Sequence, residues 1–261
     1  MKHDRGFRIS RQDYDAVIFD LDGVVTMTAK IHAAAWKELF DGYLEERAAR
    51  TGESFRPFEL TADYRRYVDG KSRYQGVESF LRSRDIELPY GETGDVPELE
   101  TICSLGNRKN QLFHRLINKQ GVEVYDSTIA LIGDLKAHNL KTAVVSSSKN
   151  CRAILQAGRI SRLFDITIDG IDAERLKLKG KPEPAVFIEA AKRLGVAPRR
   201  AVVVEDAIAG VRAGKRGGFG CVIAVDRSGQ RGALEAAGAD VVVRDLSEIN
   251  LAANSVSVQS P

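Results

Sequence analysis

Cysteine, net charge and long apolar runs are scarce in this sequence, and each scarcity excludes a class of protein. The three cysteines are isolated and lack the spacing of a metal or redox motif, which fits a reducing compartment. No apolar stretch approaches the length of a membrane span, and the first residues lack the apolar segment of a secretory signal. The formal net charge is only +3, without the basic clustering typical of nucleic-acid binding. We therefore expect a cytoplasmic protein that binds neither a membrane nor a nucleic acid.

The remaining composition is that of an ordinary globular protein, with 43% hydrophobic and 29% charged residues. A chain of 261 residues can hold one large domain or two domains of ordinary size. The first residues mix charges and the last ones contain serine and asparagine. We therefore expect Met1 to Arg11 and the segment after Leu251 to be loosely ordered.

Short apolar strands alternate with helical stretches through most of the chain. The strand candidates are a run that begins at Ala16, followed by residues 142–145, 166–168, 201–204, 221–225 and 241–243. Because single helices separate these strands, we expect βαβ units that form a parallel sheet covered on both faces. The pattern predicts an α/β fold.

The span from about residue 29 to 118 breaks this alternation. It contains helical stretches such as 31–50 and 77–84, a turn-rich loop at 89–97, and almost no strand pattern. We interpret the span as a helical domain inserted after the first strand, with hinges near residues 26–28 and 121–127. The core domain then comprises residues 1–28 and 119–261, and the inserted domain comprises residues 29–118.

Two aspartates, Asp20 and Asp22, end the first apolar strand. Successive side chains of a strand alternate between its faces, so the two carboxylates point the same way, and Gly23 then permits a sharp turn. Carboxylates this close repel, so at least one must be protonated, hydrogen-bonded or neutralised by a cation. The pair suits a nucleophile beside a general acid/base with a divalent metal. The alternative, two solvated aspartates in a turn, is disfavoured because a Val-Ile-Phe strand leads into the pair.

A serine-rich segment, Ser146-Ser147-Ser148-Lys149-Asn150, follows the strand at 142–145. Hydroxyl groups and the backbone N–H groups of a helix N-terminus can bind a phosphate. Serine and asparagine are equally good helix caps. The segment alone therefore does not distinguish a phosphate site from a plain cap.

Two later motifs offer charged groups of opposite sign. Lys181 stands between Gly180 and Pro182, where a restricted backbone can aim its ammonium at an anion, although a loop lysine is usually just solvated. Glu205 and Asp206 follow a valine-rich strand, and adjacent acids there would repel each other without a cation. Their oxygen donors suit Mg²⁺, whereas Asp206 alone could also cap the next helix.

Asp20, Ser146 and the pair Glu205-Asp206 each lie just past the end of a predicted strand. The reactive groups of parallel sheets gather at the carboxyl ends of strands. We therefore predict that these residues share one site.

Taken in this order, the motifs resemble the haloacid dehalogenase (HAD) superfamily and, within it, the β-phosphoglucomutase-like group. The resemblance rests on Asp20-Leu21-Asp22-Gly23-Val24 with Thr26, on His32 and Trp36, and on the three later motifs, and it covers residues 14 to 245. It implies a Rossmann-like parallel-sheet core of the HAD type with an inserted all-helical cap. It also implies a Mg²⁺-dependent phosphomutase that interconverts β-D-glucose 1-phosphate and glucose 6-phosphate through an aspartyl phosphate and a 1,6-bisphosphate.

The resemblance assigns a role to each core motif. Asp20 corresponds to the nucleophile and Asp22 to the general acid/base. Ser146 and Lys181 bind the transferring phosphoryl group and neutralise its charge. The implied metal site consists of Asp20, the backbone carbonyl of Asp22, Asp206 and, directly or through water, Glu205.

A phosphomutase must hold a bisphosphate, so it needs a second cationic site one sugar away from the first. Two segments of the inserted domain offer such a site: residues 69–73, with a glycine turn and an arginine that can grip phosphate bidentately, and residues 106–110. Each segment taken singly is more often a solvated face, and Trp36 could equally belong to the core. The substrate-binding residues implied by the resemblance are Thr28, His32, Trp36, Gly70, Lys71, Arg73, Lys109, Ser147, Ser148 and Asn150.

Two positions depart from the family pattern. Met27 stands between two threonines where the family usually has aspartate, and Asp69 precedes a glycine where the best-known glucose mutases have lysine. The exact sugar therefore stays open. For the mutase we expect a monomer that binds a small sugar phosphate, with Mg²⁺ and glucose 1,6-bisphosphate as cofactors.

Three other functions stay open at this point. A phosphatase would use the same aspartyl phosphate and water, without a second phosphate site. A non-catalytic sugar-phosphate binder is disfavoured by the joint presence of Asp20, Asp22, Lys181 and Asp206. A dehalogenase is disfavoured because the second aspartate and the acidic metal site serve phosphoryl transfer.

Overall fold

The computed structural model describes residues 7–252 of the chain. These residues form two compact units, one made of residues 7–26 and 124–252 and the other of residues 27–123. Among the described residues, no helix is both long enough and apolar enough to cross a membrane. The loose order expected at residues 1–6 and 253–261 lies outside the described residues.

The strands of the first unit are short. They are β1 (Arg8–Ile9), β2 (Ala16–Asp20), β3 (Lys141–Val145), β4 (Ile166–Ile168), β5 (Ala201–Glu205), β6 (Cys221–Val225), β7 (Val241–Val243) and β8 (Asn250–Leu251). Six of them form a parallel sheet in the order β4-β3-β2-β5-β6-β7. Every residue of β2 and β5 is buried, as expected for strands covered on both faces. The α/β fold with a parallel sheet, predicted from the alternation, is confirmed.

The two remaining strands correct one expectation. β1 pairs in parallel with β8, with Arg8 opposite Asn250 and Ile9 opposite Leu251. Ile9 is only 1% exposed. The loose order expected for Met1 to Arg11 is therefore wrong at β1, because a buried apolar side chain and strand pairing fix the backbone there.

The α-helices of the described residues are α1 (Ala29–Thr51), α2 (Arg73–Arg82), α3 (Ile102–Gln120), α4 (Asp126–Ala137), α5 (Cys151–Ala157), α6 (Gly170–Arg175), α7 (Ala185–Leu194), α8 (Ile208–Arg216) and α9 (Arg231–Ala237). Helices α4 to α9 belong to the first unit. There α7 packs on β2, β3 and β4 through the fully buried Phe187, and α8 packs on β5 and β6 through Val211.

The position of β2 in the sheet creates a place for a site. β2 lies between β3 and β5. After β2 the chain adds β3 and β4 on one side of it, and then β5, β6 and β7 on the other side. In open parallel sheets, ligands bind in the crevice at the carboxyl ends of strands where the order reverses in this way. Asp20, the last residue of β2, therefore lies at that crevice.

The second unit contains α1, α2 and α3 and folds around an aromatic core. The ring of Phe40 lies 4.1 to 5.2 Å from the rings of Trp36, Phe58 and Phe80, measured between centroids. The unit runs from residue 27 to 123, whereas the bounds predicted from the sequence are 29 and 118. An aromatic core of its own is typical of an independent domain.

Candidate active site

Asp20 ends β2, Asp22 lies in the turn that follows, and a third carboxylate approaches that turn closely. Asp20 is 7% exposed. Gly23 has a φ of 92°, in the left-handed region that favours glycine, and its N–H donates to the carbonyl of Thr26 at 2.8 Å. A Cβ at Gly23 would lie 1.9 Å from Oδ2 of Asp206. Glycine is therefore required here if the Asp206 carboxylate is to approach the turn that follows Asp22.

Lys181 lies in the loop between α6 and α7 and is 2% exposed. Its ammonium donates to Oδ1 of Asp20 and, at 2.5 Å, to Oε1 of Glu205. Burial alone would lower the pKa of Lys181, but the two carboxylates raise that pKa above its ordinary value. The lysine is therefore a buried, charged group directed at two acids, and not a solvated loop residue.

Glu205 ends β5 and is wholly buried. In addition to the contact of Oε1 with Lys181, its Oε2 accepts the backbone N–H groups of Asp206 at 2.9 Å and Ala207 at 2.8 Å. Gly210 leaves room for this carboxylate, because a Cβ there would lie 1.7 Å from Oε1. The protein therefore engages both oxygens of Glu205, and the side chain holds Lys181 in place.

Negative charge exceeds positive charge around Asp20. Burial raises the pKa of Asp20 well above its usual range, and Lys181 opposes this effect. The neighbouring carboxylates of Glu205 and Asp22 raise that pKa further. Carboxylate oxygens of Asp20, Glu205 and Asp206 all lie within 4.8 Å of one another. An all-oxygen donor set with surplus negative charge fits Mg²⁺, which prefers carboxylates and water.

Ser146 follows β3 and links the serine segment to the second aspartate. Its hydroxyl donates to Oδ2 of Asp22 at 3.3 Å and accepts the N–H of Ser148 at 3.1 Å. Ser147 lies between these two serines in the same loop. Asn150 is the N-cap residue of α5 but makes no side-chain capping bond. The hydroxyl of Ser146 therefore belongs to the aspartate site. The side chain of Asn150 does not cap α5.

A buried aspartate that was not predicted from the sequence begins the segment that supports this loop. Asp169, fully buried after β4, accepts from Nε of Arg152 at 2.8 Å. The N–H of the next residue, Gly170, donates to the carbonyl of Ser148 at 3.1 Å. Asp169 follows a predicted strand just as Asp20 does, so the same strand-end rule could have indicated it.

In the helical unit, Lys109 lies among aromatic side chains and is 5% exposed. Its ammonium is 2.6 Å from Nδ1 of His32 and 5.1 Å from the ring centroid of Trp36. An ammonium only donates hydrogen bonds, so a charged Lys109 requires Nδ1 of His32 as the acceptor. The ring of His32 also stacks on Phe113, with 4.0 Å between centroids, and the backbone N–H of His32 donates to the carbonyl of the buried Thr28 at 2.8 Å. Trp36 belongs both to this cluster and to the aromatic core.

The remaining predicted residues of this unit lie around the start of α2. Gly70 has a φ of 70°. Lys71 donates to the hydroxyl of Ser79 at 2.7 Å, and burial lowers the pKa of its ammonium. Arg73 is the first residue of α2, and its guanidinium lies 5.8 Å from the ring centroid of Tyr74.

The contacts of the first unit bring the predicted core residues into one site. They are Asp20, Asp22, Ser146, Lys181, Glu205 and Asp206. A carboxylate beside an ammonium can act as a nucleophile with its charge balanced. A second carboxylate bonded to a hydroxyl can exchange a proton with a leaving group. The arrangement is suited to a two-step group transfer.

Known proteins resemble the chain in both sequence and fold. A family model described as haloacid dehalogenase-like hydrolase matches residues 14–218. A protein named β-phosphoglucomutase from Mycobacterium bovis is 47% identical over 237 residues, which cover 90% of this chain and 90% of that protein. A Bacillus subtilis protein of the same name is 34% identical, with 90% of this chain and 92% of that protein covered. The crystal structure of β-phosphoglucomutase from Clostridium difficile superposes with a TM-score of 0.71 at 26% identity, covering 90% of this chain and 92% of that chain.

Proposed function

Because the chain belongs to the haloacid dehalogenase-like hydrolase family, we propose that it is a Mg²⁺-dependent phosphomutase that interconverts β-D-glucose 1-phosphate and glucose 6-phosphate. The observation that carries the proposal is the buried contact of Lys181 with Asp20, beside a second carboxylate. That second carboxylate, Asp22, accepts a hydrogen bond from Ser146. The choice of sugar is supported by the relative at 47% identity that is named β-phosphoglucomutase.

Asp20 is the nucleophile of the proposed reaction. Its carboxylate oxygen attacks a phosphorus of glucose 1,6-bisphosphate, so that an aspartyl phosphate forms as the bond to the sugar oxygen breaks. Asp22 gives the leaving oxygen a proton and, in the reverse step, takes a proton from the attacking sugar hydroxyl. Transfer to the 6-hydroxyl of β-glucose 1-phosphate, followed by return of the 1-phosphoryl group to Asp20, yields glucose 6-phosphate.

The other core residues balance charge during transfer. Lys181 neutralises the nucleophile and the phosphoryl oxygens, and the hydroxyl of Ser146 donates to the phosphoryl group. The residues that would hold Mg²⁺ are Asp20, Asp22 through its backbone carbonyl, Asp206 and, directly or through water, Glu205. When bound, the ion supplies positive charge to the phosphoryl oxygens.

We assign the second phosphate of the bisphosphate to the helical unit, in which residues 29–118 form a cap. Arg73 can grip a phosphate through two parallel hydrogen bonds, and Lys109 offers a buried ammonium beside His32. A cap that closes over the substrate excludes water from the aspartyl phosphate and so favours transfer over hydrolysis. The other substrate contacts in this proposal are Thr28, Trp36, Gly70, Lys71, Ser147, Ser148 and Asn150.

The test is the turnover of β-glucose 1-phosphate with Mg²⁺ and a trace of glucose 1,6-bisphosphate, with glucose 6-phosphate and free phosphate followed in parallel. Formation of glucose 6-phosphate without phosphate release supports the mutase. Phosphate release alone overturns it and makes the protein a phosphatase, in which water completes the cycle from the same aspartyl phosphate.

A further inference from the structure

Arg227 follows β6 and joins three segments that are distant in sequence. Its Nε donates to the carbonyl of Gly23 at 2.9 Å. Its Nη1 donates to the carbonyl of Arg244 at 3.3 Å and to Oδ2 of Asp245 at 3.4 Å. The guanidinium also lies 3.6 Å from the ring centroid of Tyr125. The side chain is 20% exposed, so Arg227 connects these segments as a largely buried residue.

Gly23 is held on both sides. Its N–H donates to the carbonyl of Thr26 at 2.8 Å, and its own carbonyl accepts from Arg227. The preceding peptide carries the carbonyl of Asp22, and Oδ2 of Asp206 lies 1.9 Å from the position of a Gly23 Cβ. Because the interior is close-packed, a shift of the Gly23 carbonyl would move the turn and so change the positions of Asp22 and Asp206 relative to each other.

Tyr125, whose ring contacts the guanidinium, lies where the chain returns from the helical unit to the first unit. The N–H of Tyr125 donates to the carbonyl of Val25 at 3.1 Å, and Val124 forms an antiparallel bridge with Thr26. A cation over the face of an aromatic ring is attracted by the ring quadrupole. Arg227 therefore holds the turn after Asp22 and the returning chain against each other.

Asp245, which accepts a hydrogen bond from Arg227, is itself held in place. Asp245 accepts the hydroxyl of Ser127 at 2.9 Å and the N–H of Ser247 at 3.0 Å. Its carboxylate is therefore fixed by groups other than Arg227. Because Asp245 is held in place, it fixes Nη1 of Arg227, and Nε of the same guanidinium binds the carbonyl of Gly23.

We propose that Arg227 is a positioning residue for phosphoryl transfer, which fixes the carbonyl of Gly23 and thereby the turn that carries Asp22 and faces Asp206. The inference rests on the function proposed above. Arginine suits the role because its planar group donates from Nε and Nη1 in different directions while it stacks on a ring, whereas lysine offers one compact ammonium. A misplacement of about 1 Å at a reacting group can lower turnover about 100-fold.

The experiment compares Arg227→Ala and Arg227→Lys with Arg200→Ala. Arg200 is a matched control, because it pairs with Asp15 at 2.5 Å and donates to the carbonyl of Gln12 at 3.0 Å, but lies at the amino end of β5. We expect Arg227→Ala to lower kcat about 30-fold with KM changed less than about threefold, and Arg227→Lys to recover part of the loss. Arg200→Ala should keep kcat within about twofold.

Thermal unfolding of each variant separates positioning from folding. If the kcat of Arg227→Ala equals that of Arg200→Ala, or if KM rises while kcat stays unchanged, the inference is overturned. If Arg227→Ala does not fold, Arg227→Lys decides instead. A lowered kcat at unchanged Tm supports the positioning role, and an unchanged kcat overturns it.

Failure of the proposed function is recognised separately. Wild-type protein that does not convert β-glucose 1-phosphate overturns the mutase, and the variants are then compared on hydrolysis of p-nitrophenyl phosphate and on beryllium fluoride binding with Mg²⁺. Weaker hydrolysis or binding by Arg227→Ala than by Arg200→Ala still supports the positioning role of Arg227. Equal values overturn that role.

Discussion

The ammonium of Lys181 lies 2.5 Å from Oε1 of Glu205, and the two side chains are 1% and 0% exposed. The other oxygen of Glu205 accepts two backbone N–H groups. A buried charge needs a partner, so this contact keeps Lys181 charged and directed at Asp20. Glu205 therefore acts on the nucleophile through the lysine.

Glu205→Gln tests this relationship. The substitution removes a charged partner of Lys181 and replaces one of the two accepting oxygens with an NH2 group that would face a buried donor. We expect the free energy of unfolding to fall by about 3 kcal/mol, as measured by urea denaturation. Glu183→Gln is the control, because Glu183 pairs with Arg216 at 3.0 Å while both side chains are half exposed. The control should change stability by less than about 0.5 kcal/mol, and equal losses in the two variants would contradict the prediction.

Gly210→Ala tests how tightly Glu205 is held. The new methyl would lie 1.7 Å from Oε1 and 2.0 Å from Cδ of a carboxylate that three donors fix in place. We expect a loss of about 2 kcal/mol in stability together with a lower kcat, because the displaced carboxylate moves Lys181.

The control for this change is Gly133→Ala, in the interior of α4, where a Cβ meets nothing within 4 Å. Alanine there should raise stability by about 0.5 to 1 kcal/mol, because it is the better helix former. Calorimetric melting of the two variants provides the comparison. Stabilisation by both alanines would show that the space around Glu205 is not tight.

Asp20→Asn should abolish the phosphoenzyme. The amide preserves the shape of the side chain and can still accept from Lys181, but it cannot attack phosphorus as a carboxylate does. Intact mass after incubation with glucose 1,6-bisphosphate and Mg²⁺ measures covalent phosphate. Asp15→Asn, near the amino end of β2 and paired with Arg200, should retain the phosphoenzyme. A phosphoenzyme in Asp20→Asn would assign the nucleophile to another residue.

Strand ends account for the part of the site that could be predicted from sequence. Apolar runs bounded by turns predict strands well, and the candidates at 142–145 and 166–168 correspond to Lys141–Val145 and Ile166–Ile168. Parallel strands end at one edge of the sheet, so the residues that follow them must converge. Asp20 and Glu205 converge in this way, and both accept a hydrogen bond from Lys181.

Supports that act through the backbone could not be predicted in this way. Arg227 binds the carbonyl of Gly23, and a carbonyl is present at every position of a chain, so no residue type marks this partner. The two residues are also 204 positions apart. Only the folded chain reveals such a contact.

The basic run at residues 106–110 divides between two environments in the folded helix. Neighbouring residues of a helix point in different directions, so charges that are adjacent in sequence diverge in space. In α3, Arg108 approaches Glu46 to 3.9 Å, whereas Lys109 approaches His32 among aromatic rings. A basic cluster in the sequence is therefore not one basic surface here.

Arg73→Ala and Lys109→Met test whether the helical unit supplies a second phosphate site. Methionine keeps the apolar stem of Lys109 beside Trp36 and removes only the charge. A charged hydrogen bond contributes about 1.5 to 3 kcal/mol, so each change should raise the half-saturating concentration of glucose 1,6-bisphosphate at least about 10-fold. Arg82→Ala, at the other end of α2 in an exposed pair with Glu78, is the control. A phosphatase for a small substrate would tolerate both changes, so unchanged half-saturation would contradict the mutase.

Asp245 links the stability of the protein to pH. Burial raises the pKa of Asp245, but hydrogen bonds from Ser247 and Ser127 outweigh burial and bring that pKa to about 2. An aspartate in an unfolded chain has a pKa of about 3.9. The folded carboxyl therefore binds a proton less readily, and its contribution to stability is complete above about pH 4 and disappears as the pH falls toward 2.

The substitution Asp245→Asn isolates this contribution. The side chain is 39% exposed, so solvent screening reduces the contribution to about 1 kcal/mol. Urea unfolding of wild type and variant should differ by about that amount near pH 7, because only the carboxylate accepts its hydrogen bonds with a full charge. The difference should shrink as the pH falls below about 4, since the wild-type group is then progressively neutralised. A difference that stays constant or grows toward low pH would mean that the hydrogen bonds of Asp245 do not favour its charged form.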